Sequence, residues 1–220
     1  MSGQDAGRVV AGKFIVFEGI EGSGKTTQAR LLGEWLAAHG VRHLLTREPG
    51  GTAIGEAVRQ LLLHGDAMHA RAELMLYLAA RAALVTERIR PALDAGEIVV
   101  ADRYEMSTFA YQGYGRGLPL DEVRAANAAA TGGLRPDLTI VVRVPGGVGG
   151  TRLAGRGAAD RIEREDAAFH ERVAEGYLRL TTAEPRVEAV DGTPPPAEVH
   201  ADVVRLLRQR FPETFVLNRV

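Results

Sequence analysis

The chain of 220 residues contains no cysteine, and only two of its 27 basic residues are lysines, Lys13 and Lys25. The absence of cysteine excludes disulfide scaffolds, thiolate metal sites and cysteine nucleophiles, and it is compatible with a reducing cytoplasm. No apolar run approaches the roughly 18 residues of a membrane-spanning helix, so we expect no membrane association. A net charge of −1 gives no general attraction to nucleic acid, so any basic site must be local.

The remaining features are those of an ordinary globular protein. Residues 1–12 show no secretory signal and predict a flexible lead-in, whereas 13–220 fit a single domain. Buried strands alternate with amphipathic helices, which predicts an α/β fold with a five-stranded parallel sheet and helices on both faces. The predicted strands are 13–18, 41–47, 97–102, 137–144 and 186–190.

Three helical expectations accompany this pattern. A long helix is predicted over 72–96, with a bend near Pro91. The glycine-rich residues 145–157 predict weak order, because each glycine in a helix interior costs about 1 kcal/mol relative to alanine. A second long helix is predicted to begin at Asp160.

A glycine cluster surrounds Lys25, between the first predicted strand and the first predicted helix. Gly19, Gly24, Lys25 and Thr26 satisfy the pattern G-x-x-x-x-G-K-[ST], in which backbone N–H groups and the lysine hold nucleotide phosphates. A glycine turn with an accidental lysine is the alternative, but the strand–loop–helix context favours a P-loop. The predicted ATP-binding residues are Gly19, Ile20, Glu21, Gly22, Ser23, Gly24, Lys25, Thr26 and Thr27.

An acid followed by an arginine, Asp102 and Arg103, ends the strand predicted at 97–102. Ligands bind at this edge of a parallel sheet, so Thr26 and Asp102 are the predicted Mg²⁺ ligands, while a strand-end cap is the alternative for Asp102. The guanidinium of Arg103 is suited to bind a second anion, beside the nucleotide phosphates that the P-loop is predicted to hold. A switch GTPase is excluded because no N-K-x-D motif exists.

Several longer motifs make the pattern more specific. They are FEGIEGSGKTTQ (17–28), TREPGGT (46–52), LAAR (78–81), ADRYEMSTFAYQG (101–113), RPDLTIVV (135–142), RGAADRIERE (156–165) and VDGTPP (190–195). In these motifs the chain resembles the bacterial thymidylate kinases, a family of P-loop nucleoside monophosphate kinases. The resemblance implies Mg²⁺-dependent transfer of the ATP γ-phosphoryl group to dTMP, giving dTDP for dTTP biosynthesis. It also implies a cytoplasmic homodimer with a mobile lid at about 150–165.

The resemblance also implies which side chains hold dTMP. Arg47 and Arg103 would grip its phosphate, Glu21 and Tyr111 would face its sugar, and the remaining residues would surround thymine. The implied dTMP-binding residues are Glu21, Arg47, Tyr77, Arg81, Arg103, Ser107, Thr108, Tyr111 and Gln112. The alternatives are a surface charge for Glu21, surface salt bridges for Arg47, Arg81 and Arg103, and a core position for Tyr77. For Ser107, Thr108 and Tyr111 the alternative is a capped helix in which Ser107 and Thr108 are the caps.

The lid would supply positive charge that the P-loop lacks. Between Gly19 and Lys25 the only charged side chain is Glu21, whereas Arg152, Arg156, Arg161 and Arg164 are concentrated in the lid. An arginine stabilises the negative charge of a transferring phosphoryl group, and Arg156 and Arg161 are favoured for this role. The predicted catalytic residues are Lys25, Asp102, Arg103, Arg156 and Arg161. A solvated basic helix start is the alternative for the lid arginines.

Two positions depart from the family pattern. Tyr77 stands where phenylalanine is more usual, and Arg143 replaces the acid at the end of the fourth strand. The rival functions are a kinase of another nucleoside monophosphate or of a deoxynucleoside, and a nucleotide-binding module without turnover.

Overall fold

The computed structural model describes residues 12–145, 148–153 and 159–215. The strands are β1 (Lys13–Glu18), β2 (His43–Arg47), β3 (Ile98–Asp102), β4 (Leu138–Arg143) and β5 (Val187–Asp191). They form one sheet in the order β2-β3-β1-β4-β5, and every neighbouring pair is parallel. The predicted α/β fold with a five-stranded parallel sheet is therefore confirmed.

Helices connect these strands and cover the sheet. The described α-helices are α1 (Lys25–Ala38), α2 (Ala53–His64), α3 (Ala70–Leu84), α4 (Arg90–Asp94), α5 (Glu105–Thr108), α6 (Leu120–Thr131), α7 (Val148–Leu153), α8 (Ala167–Ala183), α9 (Pro196–Arg210) and α10 (Pro212–Phe215). Two π-helical segments, Val85–Ile89 and Phe109–Gly115, follow α3 and α5 directly.

The hydrophobic core lies on both faces of the sheet. Successive side chains of a strand point to opposite faces, so Ile15 and Phe17 pack in one cluster with α1 and α9. Phe14 and Val16 of the same strand pack in a second cluster with Leu84 and Tyr104. A strand buried on both faces reads as a continuous apolar run, which explains why β1 could be recognised from the sequence.

The long helix predicted over 72–96 is present, but it is divided. A regular helix, α3, runs to Leu84, the π-helical segment Val85–Ile89 follows, and α4 ends at Asp94. Pro91 carries no N–H and cannot complete the regular hydrogen-bond ladder, so the ladder is displaced just before the proline.

Two other helix predictions were wrong in part. The second long helix begins at Ala167 rather than Asp160, because the Asp166 side chain accepts a hydrogen bond from Phe169 N and caps the helix there. A short helix, Val148–Leu153, forms within the glycine-rich stretch where weak order was expected.

The predicted flexible lead-in lies outside the described residues, except for Gly12. Of the predicted lid, Arg156 lies outside them as well, whereas Arg152, Arg161 and Arg164 are described. Among the described helices, none combines the length and the apolar character needed to cross a membrane.

Candidate active site

The P-loop connects β1 to α1 at the carboxyl edge of the sheet. Gly24 caps α1 with a φ of 104°, a backbone conformation that favours glycine. Lys25 is the first residue of the helix, is buried, and donates a hydrogen bond to Ile20 O at 3.3 Å. Burial and the nearby Arg103 lower the pKa of Lys25 to about 8. The loop therefore presents a desolvated amine at a helix N-terminus, where phosphate groups bind favourably.

Close backbone packing explains the glycines of the short helix α7. A Cβ added to Gly22 would lie 2.2 Å from Gly149 O, and one added to Gly149 would lie 2.5 Å from Glu21 O. Arg152 of the same helix donates to Gly192 O at 3.1 Å. The glycine-rich segment thus lets α7 lie directly against the P-loop.

Asp102 ends β3, the strand next to β1, and reaches the first turn of α1. Thr26 Oγ1 donates to Asp102 Oδ2 at 2.5 Å, and Asp102 Oδ1 is buried without a hydrogen-bond partner among the described residues. Two adjacent oxygen ligands, one of them unpartnered, fit Mg²⁺, which is usually held by one or two protein groups together with substrate phosphates. No cluster of three or more potential metal ligands occurs in the described part of the chain.

Arg103 lies at the centre of the polar network between the P-loop and the acceptor side. Its φ of 76° is in the left-handed region, which is uncommon for arginine and turns the chain sharply after β3. The guanidinium donates to Glu21 Oε1 at 3.1 Å and to Ser107 Oγ at 2.9 Å. Tyr111 OH also donates to Glu21 Oε1, at 2.5 Å. Four predicted site residues are thus brought into one network.

The charge state of Glu21 follows from this network. Burial would raise the pKa of the Glu21 carboxyl, but the Arg103 guanidinium and the Lys25 ammonium outweigh burial and hold that pKa below its ordinary value. A carboxylate beside a phosphate loop is thereby kept ionised, and its accompanying cations offset its repulsion of a phosphate.

The acceptor pocket opens beside the P-loop as a cavity of about 280 Å³. Of the predicted dTMP-binding residues, all line this cavity. Tyr77 is half-buried on α3, and Thr108 Oγ1 is buried without a hydrogen-bond partner among the described residues. Ser107 Oγ instead donates to Glu18 Oε2 at 2.6 Å, so the geometry favours Thr108 over Ser107 as the hydroxyl that faces a ligand.

Arg81 is fully buried and differs from the surface ion pair that the sequence left open. Its guanidinium donates to Glu48 Oε2 at 2.8 and 2.6 Å, to Asn127 Oδ1 at 2.8 Å and to Tyr104 O at 2.9 Å. These four bonds fix the side chain and leave one N–H of Nη1 free of described partners. Arg47, by contrast, forms an exposed ion pair with Glu56 at 3.0 Å at the rim of the pocket.

The described lid arginines are bound within the protein. Arg161 is buried, with Nη1 2.7 Å from Glu73 Oε2 and Nε donating to Leu62 O at 2.7 Å. Arg164 donates to Ala159 O at 2.8 Å and is exposed. The catalytic roles of Arg156 and Arg161 therefore stay predictions, and in this conformation Arg161 is held on the α3 side of the pocket.

Sequence reasoning missed four residues of the site. Glu18 is fully buried and accepts hydrogen bonds from Ser107 Oγ and from Tyr177 OH at 2.8 Å, while Arg59 lines the pocket and Glu73 binds Gln112. Glu18 could have been identified from the sequence, because it is a charged residue at the end of an apolar strand. Nothing in the local pattern of α8 pointed to Tyr177, whose position depends on packing across the sheet edge.

One cavity lined both by a P-loop and by arginines from outside that loop defines a P-loop phosphotransferase acting on a small acceptor. Comparisons with known proteins refine this class. The family model described as Thymidylate kinase matches residues 17–203, so the chain belongs to the thymidylate kinase family.

Named relatives agree with this membership. A thymidylate kinase of Carboxydothermus hydrogenoformans is 49% identical over 193 residues, which cover 87% of this chain and 95% of the relative. One from a Synechococcus strain is 50% identical over 200 residues, covering 90% and 96% of the two chains. A crystal structure of thymidylate kinase from Ehrlichia chaffeensis, 33% identical, matches with a TM-score of 0.72 over 90% of this chain and 99% of that one.

Proposed function

We propose that this chain transfers the γ-phosphoryl group of ATP to dTMP, giving dTDP and ADP, and so contributes to dTTP biosynthesis. The observation that carries the proposal is one cavity lined both by Lys25 and Thr26 of the P-loop and by Tyr77 and Gln112. The acceptor phosphate is itself an anionic nucleophile, so the reaction depends on positioning and charge stabilisation rather than on a general base.

ATP would bind with its phosphates in the P-loop, where Lys25 and the backbone N–H groups face them. Thr26 and Asp102 would hold Mg²⁺, which neutralises phosphate charge when bound. Asp102 Oδ1, which has no partner among the described residues, supports this assignment.

dTMP would occupy the acceptor pocket. Arg103 and Arg47 would bind its phosphate, because guanidinium groups pair with phosphate oxygens in a defined geometry. Glu21 and Tyr111 would line the sugar. The thymine ring would stack on Tyr77, and Arg81, Thr108 and Gln112 would meet its polar edge.

The lid would complete the charge around the transferring phosphoryl group. The P-loop contains no arginine, and Arg156 and Arg161 remain the favoured sources of the missing charge. For Arg161 this role requires the guanidinium to leave Glu73, since the two groups are paired in this conformation.

A homodimer and a cytoplasmic location also belong to the proposal. Large apolar side chains that are more than half exposed occur on α2 and α3, at Ile54, Leu61 and Met75. Such a face fits an interface with a second copy. Leu61→Asp should give a monomer in size-exclusion chromatography with light scattering, and an unchanged mass would argue against this interface.

The function is tested by measuring ADP release with ATP, Mg²⁺ and a panel of acceptors: dTMP, dUMP, dCMP, dGMP and thymidine. We expect the highest kcat/KM with dTMP. A higher value for another acceptor would reassign the substrate within this class of kinases. ATP binding without ADP release for any acceptor would instead indicate a binding module.

A further inference from the structure

The carboxylate of Glu73, on α3, is the centre of a buried network beside the acceptor pocket. Its side chain has no exposed surface. Gln112 Nε2 donates to Oε1 at 2.9 Å, Arg116 donates to the two oxygens at 3.1 and 2.9 Å, and Arg161 Nη1 lies 2.7 Å from Oε2. Two other segments of the chain, one with Gln112 and Arg116 and one with Arg161, thus meet α3 at one carboxylate.

The two arginines keep this carboxylate ionised. Burial alone would raise the pKa of Glu73, but the hydrogen bonds from Arg116, Gln112 and Arg161 hold that pKa below its ordinary value. Arg116 is fixed in turn by Glu165 at 2.6 Å. An ionised carboxylate has no proton to donate, so every partner that faces it must be a donor.

This requirement fixes the amide of Gln112. Only its NH₂ group can face Glu73, because rotation of the amide by 180° would place the Gln112 oxygen against a carboxylate. Gln112 is 1% exposed and lines the acceptor pocket. Its Oε1 accepts no hydrogen bond from the described residues and is available as an acceptor, whereas the N–H that Nε2 donates to Glu73 is not available to a ligand.

We propose that Glu73 is a positioning residue that holds the Gln112 amide oxygen toward the base, so that the pocket selects bases carrying a ring N–H. The proposal rests on the proposed function, in which Gln112 meets the base of the acceptor nucleotide. Thymine and uracil carry an N–H between two carbonyl groups. Cytosine has an unprotonated ring nitrogen there, whose lone pair would repel the fixed amide oxygen.

Selection at this position differs from selection for the thymine methyl group. dUMP and dTMP share the ring N–H, and they differ only in the methyl group, which Gln112 does not read under this proposal. Loss of the Glu73–Gln112 contact should therefore change the preference for dTMP over dCMP and leave the preference for dTMP over dUMP unchanged.

The test is steady-state kinetics with dTMP, dUMP and dCMP for Gln112→Met, Glu73→Gln and the double variant. Gln112→Met removes both polar groups of the amide while Glu73 keeps its two arginines, so this variant is expected to fold. We expect the dTMP/dCMP ratio of kcat/KM to fall about tenfold in each single variant, because a tenfold change corresponds to the loss of one hydrogen bond. KM for dTMP should rise, while KM for ATP should stay unchanged.

The double variant separates a positioning role from a structural one. If Glu73 acts through Gln112, adding Glu73→Gln to Gln112→Met should leave the dTMP/dCMP ratio unchanged. Glu184→Gln is the matched control, because Glu184 also accepts hydrogen bonds from two arginines, Arg124 and Arg135, each at 2.9 Å, but lies outside the acceptor pocket.

Two outcomes would overturn the inference: an unchanged dTMP/dCMP ratio in Gln112→Met, or equal falls of the dTMP/dCMP and dTMP/dUMP ratios. If Glu73→Gln does not fold, the dTMP/dCMP ratio measured for Gln112→Met still tests the inference. Failure of the wild-type chain to phosphorylate dTMP would instead overturn the proposed function, so the two failures are distinguishable.

Discussion

The proposed base end and the proposed phosphate end of the cavity bury charge in different ways. At the base end, Arg81 faces Glu48 at 2.6 Å, and outside the cavity lining Arg161 faces Glu73 at 2.7 Å. At the phosphate end, the buried amine of Lys25 has no ion pair among the described residues and makes one bond of 3.3 Å to a backbone carbonyl. The charge of Arg81 is thus paired before a ligand binds, whereas the Lys25 ammonium stays available to pair with an anion.

A buried charge is costly unless it is paired and hydrogen-bonded. The base of a nucleotide is neutral and cannot form an ion pair with an arginine, so Arg81 needs a carboxylate from the protein. For Lys25 the nucleotide itself brings the opposite charge. The contrast gives four predictions, from the largest expected effect to the smallest.

The lid arginines are expected to show the largest effect. Arg156→Ala and Arg161→Ala should each lower kcat by ~10³-fold or more, with dTMP affinity nearly unchanged, because each removes charge that stabilises the transferring group. Single-turnover and steady-state assays would measure this, with the exposed Arg179→Ala as control. Near wild-type turnover in both single variants and in the double variant would refute the assignment.

The Glu48–Arg81 pair is expected to matter mainly for stability. Glu48→Gln leaves a buried guanidinium without its counter-charge, which should lower the free energy of unfolding by about 3 kcal/mol. Glu56→Gln is the matched control, because its pair with Arg47 is exposed and should cost at most about 1 kcal/mol. Urea unfolding measures both, and equal losses would remove the contrast between buried and exposed pairs.

Arg103 is expected to act on phosphate affinity. Arg103→Lys keeps the charge but loses the planar guanidinium that bonds Glu21 and Ser107 together, so KM for dTMP should rise ~10- to 100-fold. KM for thymidine should change less, because thymidine has no phosphate. An equal change for both acceptors would mean that Arg103 only supports the fold.

The smallest expected effect is the pH dependence of kcat/KM for ATP. Lys25 has a pKa of about 8 because burial and Arg103 lower it, so its ammonium is present below pH 8 and is lost as pH rises above that value. The kcat/KM for ATP, which reports the free enzyme, should be level below pH 8 and fall toward tenfold per unit above it. In Lys25→Arg the guanidinium stays charged, so this fall should disappear. A level profile to pH 10 in the wild-type chain would contradict the assignment.

Local patterns predicted much of the fold and the positions of the P-loop and Asp102. The strand–glycine–helix order of residues 13–38 and the acid at the end of β3 depend on nearby residues, and the structure has both at the predicted positions. The helix predicted from Asp160 failed because periodicity does not reveal the cap at Asp166. The order of α7 was missed because glycine propensity ignores its packing against Gly22.

The sequence by itself determined the parallel sheet, the P-loop around Lys25 and the family, since strand hydrophobicity and motif spacing are local properties of the chain. Tertiary structure alone decided which charges pair. Glu73 meets Gln112, Arg116 and Arg161 from 39 to 88 positions away, by their residue numbers. Pair energies between charges depend on distance and burial, and neither quantity can be read from sequence spacing.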